Sequence, residues 1–144
     1  MSEKGYTLSE VLLVLLMVSV LIGITSSVVP VYKETREMEG FLRQFSRDFH
    51  YAQMYAQNHQ NLTFFIIDGE RKKYYVTEGT ELILTRNIPA GIEATSGTLK
   101  WRIYFTKLGH ISNSGTWIFR GKHTIYGFTV MLGRGRHYYY EHEQ

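Results

Sequence analysis

The sequence predicts an α+β fold: a long N-terminal helix, transmembrane in its first half and amphipathic in its second, packed on antiparallel β-sheet of about seven short strands. Three observations predict it. Residues Val11 to Val29 carry no charge, and apolar side chains then recur at helical spacing as far as Ala56. From Leu62 the pattern changes to short β-branched and aromatic runs punctuated by glycine. Aromatic residues make up 15% of the chain, with 11 Tyr and 8 Phe, which suits strands better than loops.

The chain has 144 residues, enough for one modest globular domain beside such a helix. Hydrophobic residues at 44% and charged residues at 20% mark a folding sequence, not a disordered one. Cysteine is absent, which excludes a disulfide framework, a zinc-thiolate site and a thiol nucleophile. The net charge of +3 permits an anionic partner without demanding one.

Residues 1–5, Met-Ser-Glu-Lys-Gly, are short and polar, with one base at Lys4. The uncharged run after them would measure roughly 28 Å as a helix, close to the thickness of a bilayer core. A secretory signal peptide would carry a shorter apolar region and a small-residue cleavage site, of which Thr25-Ser26-Ser27 is a poor version. An uncut anchor and a buried core helix are the other readings. None of the three explains Glu10 at the entry of the run, because a carboxylate in a membrane helix costs about 3 kcal/mol. Thr7-Leu8-Ser9-Glu10 also has the spacing of a capping box. Lys4 stands alone before the run, whereas Lys33, Arg36, Arg43 and Arg47 follow it, so the charge count by itself argues against an N-in orientation.

Pro30 interrupts the apolar run, where a proline removes a helix hydrogen bond and favours a bend. Beyond it, Met38, Phe41, Leu42, Phe45, Phe49, Ala52 and Ala56 form one apolar face of a helix reaching about His59. Arg36, Glu39, Arg43, Gln44, Arg47, Asp48 and Gln53 lie between them. The strand-like runs are LTFFIID, KKYYVTE, ELILTRN, LKWRIYF, TWIFRG, YGFTVML and RHYYYE, with turns at Gly109 and Gly115 and a last hairpin turning at Gly133–Arg136.

The stretch from Lys4 to Leu16, K-G-Y-T-L-S-E followed by V-L-L-V-L-L, resembles the prepilin leader of type IV pilins and type II secretion pseudopilins. The resemblance covers residues 1–60 well. It implies a leader at 1–5 removed by a prepilin peptidase between Gly5 and Tyr6. It further implies N-methylation of Tyr6, where the family usually has Phe; a membrane and filament-core half-helix at 6–30; an amphipathic half at 31–60; and a β-rich globular domain at 61–144. Glu10 falls at the fifth residue of the mature chain, where the family keeps a glutamate. Cleavage would free an α-amino group with a reference pKa of about 7.7–8.0. A carboxylate four residues on can pair with that amine in its own chain or a neighbour, setting register more than adding stability. Pro30 matches the position where family helices bend or melt in the filament. The implied topology is single-pass, N-in, with an extracellular C-terminal domain that reaches the cell surface on assembly. The implied partners are other major and minor pseudopilins, the prepilin peptidase and the inner-membrane assembly platform.

The tail, IYFTKLGHISNSGTWIF and then FTVMLGRGRHYYY, resembles the H-type minor pseudopilin domain, nearest its competence branch. That implies a subunit that helps initiate or cap a filament for DNA binding and uptake. A type II secretion-like pseudopilin, a DNA-contacting minor pilin and a membrane-anchored surface protein remain alternatives.

No enzyme signature, cofactor or metal site is expected. His137 and His142 read as a solvated tail, not a metal pair. Gly115 to His123 departs from a phosphate-binding loop in spacing and lacks the hydroxyl after Lys122. Asn61-Leu62-Thr63 matches a glycosylation sequon of the kind that arises by chance. The candidate DNA-binding feature is Arg134 and Arg136 on the last turn, followed by Tyr138, Tyr139 and Tyr140. The arginines suit phosphates and the tyrosines suit bases, with Arg71, Lys72, Lys73, Arg120 and Lys122 extending the patch. This element is similar to the Gly-Arg-x-Arg turn of DNA-binding minor pilins. The competing reading is a tight hairpin with solvated arginines and packed tyrosines.

Overall fold

The computed structural model describes residues 7–133 and 135–142; the side chains of 24–31 lie outside the description, as do Gly5, Tyr6 and Arg134. The chain divides into two units, Met1–Lys33 and Glu34–Gln144, and helix α1 (Leu8–His59) contributes to both.

In the first unit α1 starts at a cap. The Glu10 and Val11 amides donate to the Thr7 carbonyl at 3.1 and 3.3 Å, and the Glu10 amide also reaches the Thr7 hydroxyl at 3.4 Å. Ser19 donates its hydroxyl to the Leu15 carbonyl at 2.8 Å, which hides a polar group inside the apolar run. The helical backbone continues through Pro30.

In the second unit eight strands follow: β1 (Thr63–Asp68), β2 (Lys73–Glu78), β3 (Glu81–Asn87), β4 (Glu93–Thr95), β5 (Arg102–Phe105), β6 (Gly115–Arg120), β7 (Ile125–Val130) and β8 (His137–Glu141). They form two four-stranded antiparallel sheets, ordered β3-β2-β1-β5 and β4-β6-β7-β8. The strand beyond the predicted seven is β4. Its three residues are too few to show a period and are recruited by pairing with Ile118–Arg120 of β6. Gly115 opens β6 at φ 152° instead of making a turn.

Met38, Leu42, Phe45, Phe49, Ala52 and Ala56 on α1 are fully buried, as the period of the helix predicts. They meet Phe65, Val76 and Phe105 from the first sheet and Trp117, Phe119 and Phe128 from the second in one apolar cluster. Phe45 is its hub, with edge-on contacts to Phe65, Tyr74, Trp117, Phe119 and Phe128 at centroid separations of 4.9–5.9 Å.

Two residues expected on the polar side of α1 are buried. Gln53 donates to the Gly109 carbonyl at 2.9 Å. Asp48 accepts from Arg86 Nε at 2.5 Å, from Tyr74 Oη at 2.7 Å and from Gln44 Nε2 at 2.9 Å. Each lies beside the apolar stripe, and partners distant in sequence satisfy it there. Burial and the Asp48 carboxylate together push the Tyr74 phenol well above its ordinary range.

Candidate functional site

Two regions bear on function, one in each unit. In the first, the apolar side chains from Val11 to Met17 are all exposed, Leu16 to 67%. A helix apolar on every face and uncovered in its own chain needs lipid or neighbouring helices around it. Among the described residues no helix is long and apolar enough to cross a membrane. The described apolar stretch ends at Gly23, and the rest of the expected span, 24–29, lies outside the described side chains. Glu10 is exposed at the head of this stretch, and among the described residues it forms no ion pair. The predicted cleavage pair, Gly5 and Tyr6, lies outside the described residues.

The second region is the outer face of the β4-β6-β7-β8 sheet. Strand alternation separates the three candidate tyrosines. Tyr139 packs on the core, whereas Tyr138 and Tyr140 are exposed on the opposite face, their rings 5.8 Å apart. The ring of His142 follows at 4.8 Å from Tyr140. Cross-strand pairing sets Tyr140 beside Gly127 and Tyr138 beside Thr129. Gly127 is buried beneath Tyr140: a Cβ there would sit 3.0 Å from Tyr140 Cζ, so the tyrosine ring lies across the bare backbone. Arg136 is exposed at the end of the β7–β8 turn, where its carbonyl accepts from the Met131 amide at 2.8 Å.

The wider basic patch is divided. Arg120 alternates outward with Ile118 on β6 and so shares the face with Tyr140. Arg71 and Lys72 lie in the β1–β2 turn of the other sheet. Arg71 is 3.8 Å from Asp68, and Lys72 Nζ donates to the Ala90 carbonyl at 2.5 Å.

His137 is not part of a solvated tail. It is half-buried on the core side of β8, stacked on Phe128 at 5.0 Å and edge-on to Phe49 at 4.9 Å, with Nε2 2.6 Å from Ser46 Oγ. Burial pulls its pKa down, and His50 adds a smaller push in the same direction. Its alternation with Tyr138 was the sequence signal that separates it from His142. Glu34 had no such signal. Its Oε1 accepts from the His123 amide at 2.8 Å and the Thr124 hydroxyl at 3.2 Å, and the His123 amide bond lowers its pKa.

Among the described residues no three His, Asp or Glu side chains converge as metal ligands. The sequon is built into structure: Thr63 is fully buried at the start of β1 and Asn61 Nδ2 donates to Glu78 at 2.5 Å.

A long helix whose second half packs on antiparallel sheets is the architecture of type IV pilins. The fold matches the crystal structure of the type IV minor pilin FimU of Pseudomonas aeruginosa with a TM-score of 0.61, covering 74% of this chain and 90% of that one at 11% identity. The sequence is 32% identical over 135 residues to the competence protein ComGD of Bacillus subtilis, covering 93% of this chain and 91% of ComGD. This chain therefore belongs to the ComGD family of competence pseudopilins. No protein-family model matches it.

Proposed function

We propose that this chain is a minor pseudopilin, processed after Gly5 and assembled through its apolar helix into a pilus-like filament that serves DNA uptake. The carrying observation is the all-round exposure of the apolar residues after Glu10, in a chain of the ComGD family with a pilin fold. In the membrane, lipid covers those side chains; in the filament, the equivalent helices of other major and minor pseudopilins replace lipid. The chain is then a single-pass membrane protein, N-in, whose globular unit faces outward. Its partners are the prepilin peptidase, the inner-membrane assembly platform and neighbouring pseudopilins. Glu10 pairs with the amine freed at Tyr6 and sets the register between subunits. The mature N-terminus tests this. Mass spectrometry of chain recovered from membranes should find N-methylated Tyr6, and an intact Met1 or a cut near Ser27 would overturn it. Deleting the gene in its host should abolish transformation, whereas a defect confined to protein secretion would point to a secretion pseudopilus.

A second reading is favoured by the exposure of Arg136 at the β7–β8 turn: the turn from Gly133 to Arg136 contacts the DNA backbone. Double substitution Arg134→Ala and Arg136→Ala should abolish retardation of DNA by the chain, and undiminished retardation would sink this reading.

A further inference from the structure

We propose that the cleft around Trp101 binds an uncharged pyranose ring of a β-linked glycan. The cleft has a volume of about 500 Å³, and Ile66, Asp68, Gly69, Glu70, Tyr75 and Trp101 are among its lining residues. That size and that mixture of apolar wall and few polar groups suit a small ligand. Of the two tryptophans in the chain, Trp117 is fully buried and Trp101 is 38% exposed. Alternation back from the buried Ile103 would turn Trp101 to the core, but the chain bends at this residue and leaves the side chain in solvent. Its mount is fixed on three sides. The Lys100 carbonyl accepts from Trp117 Nε1 at 3.1 Å, and the Trp101 carbonyl accepts from the Ile67 amide at 2.9 Å. The ring itself lies against Gly69, where a Cβ would sit 3.2 Å from Trp101 Cη2. A large apolar ring held still at the surface of a cleft gives nothing to the core and costs a ligand little ordering.

The surrounding charges choose the ligand. Asp68 and Glu70 line the cleft and repel an anion such as a phosphate backbone. Lys73 stands across from Asp68 in the β1–β2 register, and Arg71 places Nε 3.8 Å from the same carboxylate, so a cation is repelled too. A neutral molecule rich in hydroxyls meets neither penalty. Its hydroxyls donate to the carboxylates and accept from the ammonium and guanidinium groups. A pyranose with equatorial substituents also presents a flat face of C–H bonds, whose slightly positive hydrogens suit the negative face of the indole.

Two other clefts of the globular unit lack this set. The one lined by His50, Gln53, Gln57, Leu108 and His110 has no Trp, Tyr or Phe. In the one that holds Phe64, Glu78 and Glu81, the Arg102 guanidinium already covers the Phe64 ring, 4.2 Å from its centroid.

The test uses the full chain in a polyoxyethylene detergent free of sugar head groups. The probes are the β-linked tetramers of glucose and of N-acetylglucosamine. Calorimetry measures binding, and acrylamide quenching of tryptophan emission locates it. At least one tetramer should bind saturably and shield Trp101 from quenching. Its affinity should change by less than about twofold between low and high salt, because a neutral ligand releases no counterions. Trp101→Ala should weaken binding by roughly tenfold or more, and Trp101→Phe by less, since a smaller ring remains. Glu70→Gln should weaken it by roughly threefold, because a charged acceptor becomes neutral. The buried Trp117 emission reports whether each variant keeps its core. Shielding in the parent chain reports on Trp101 even if Trp101→Ala does not fold.

No heat and no shielding with either tetramer up to about 10 mM, where a millimolar site would be filled, overturns the proposal. Binding of equal strength in a folded Trp101→Ala chain places the sugar elsewhere and overturns it as well. Pentalysine or oligothymidylate shielding Trp101 more tightly than either tetramer, with an affinity that falls with salt, overturns the choice of a neutral ligand. Self-association that shields Trp101 and is unaffected by the tetramers makes the cleft a contact between copies of the chain, and that result also overturns the proposal.

Discussion

Arg86 on β3 places Nε 2.5 Å from Oδ2 of Asp48 on α1, tying the first sheet to the helix across 38 residues of sequence. The carboxylate is buried while the guanidinium is nearly half exposed, so the pair is anchored on one side and solvated on the other. Asp48→Ala would strand the Tyr74 hydroxyl and Gln44 as well as Arg86. It should cost about 2–3 kcal/mol, below the range for a wholly buried pair because Arg86 keeps water. Tyr74→Phe leaves Asp48 with its other partners and should cost about 1–2 kcal/mol. Chemical denaturation of both variants checks the order.

Phe45 touches rings from both sheets and is fully buried. Phe45→Ala should destabilise by about 3–5 kcal/mol, with Phe45→Leu costing less because it refills part of the cavity. A smaller loss for Phe45→Ala than for Phe45→Leu in thermal unfolding would contradict this packing.

Thr63 Oγ1 is buried without a hydrogen-bond partner among the described residues. Thr63→Val replaces that hydroxyl with a methyl of similar shape in a strand, where a β-branched residue fits. It should raise stability by about 1 kcal/mol. A lowered midpoint in urea would show that the hydroxyl has a partner in solution.

Gly109 has φ +75°, and a Cβ there would sit 2.1 Å from Nε2 of Gln57 and 2.9 Å from its Cγ. Gly109→Ala should cost about 1–3 kcal/mol from backbone strain alone, and it would also displace Gln57 from the Leu108 carbonyl. Pairing it with Gln57→Ala should recover the crowding component but not the strain, which a double-mutant cycle measures.

Acid should destabilise the globular unit in two windows. His137 has a folded pKa below its ordinary 6.5, so the unfolded chain takes up the proton first and stability falls as pH drops below 6.5 toward the folded value. Glu34 has a folded pKa below its ordinary 4.5, so its contribution is present above 4.5 and is lost as pH falls through the folded value. His137→Gln should flatten the first window, and Glu34→Gln the second, in melting temperatures recorded against pH.

If Glu10 sets register as proposed, Glu10→Val should leave the proposed cleavage after Gly5 intact and abolish incorporation into filaments, because the apolar helix survives while the carboxylate is lost. Processed chain accumulating in the membrane fraction without sheared pili is the expected result. Normal filament incorporation would remove Glu10 from the register role.

The helix was legible because its signals are local. The uncharged run and the spacing from Met38 to Ala56 depend only on the period of one element. Strands of six residues were legible for the same reason, and β4 was not, since Glu93–Thr95 forms a strand only because β6 offers it an edge. Placing Asp48 and Gln53 failed because neither polarity nor period reveals whether a distant Arg86, Tyr74 or Gly109 will satisfy a buried polar group. Tyr138, Tyr139 and Tyr140 look alike as a run, yet the pleat sends the middle one inward.

By itself the sequence determined the long helix, the carboxylate at its head, the β-rich unit and the basic turn, because each is written in contiguous residues. Only the tertiary structure decided which of those residues meet. It buried Asp48, turned His137 to the core side of β8, divided the basic patch between two sheets, and laid Tyr140 across Gly127. Burial and cross-strand pairing join residues far apart along the chain, and no local pattern carries that information.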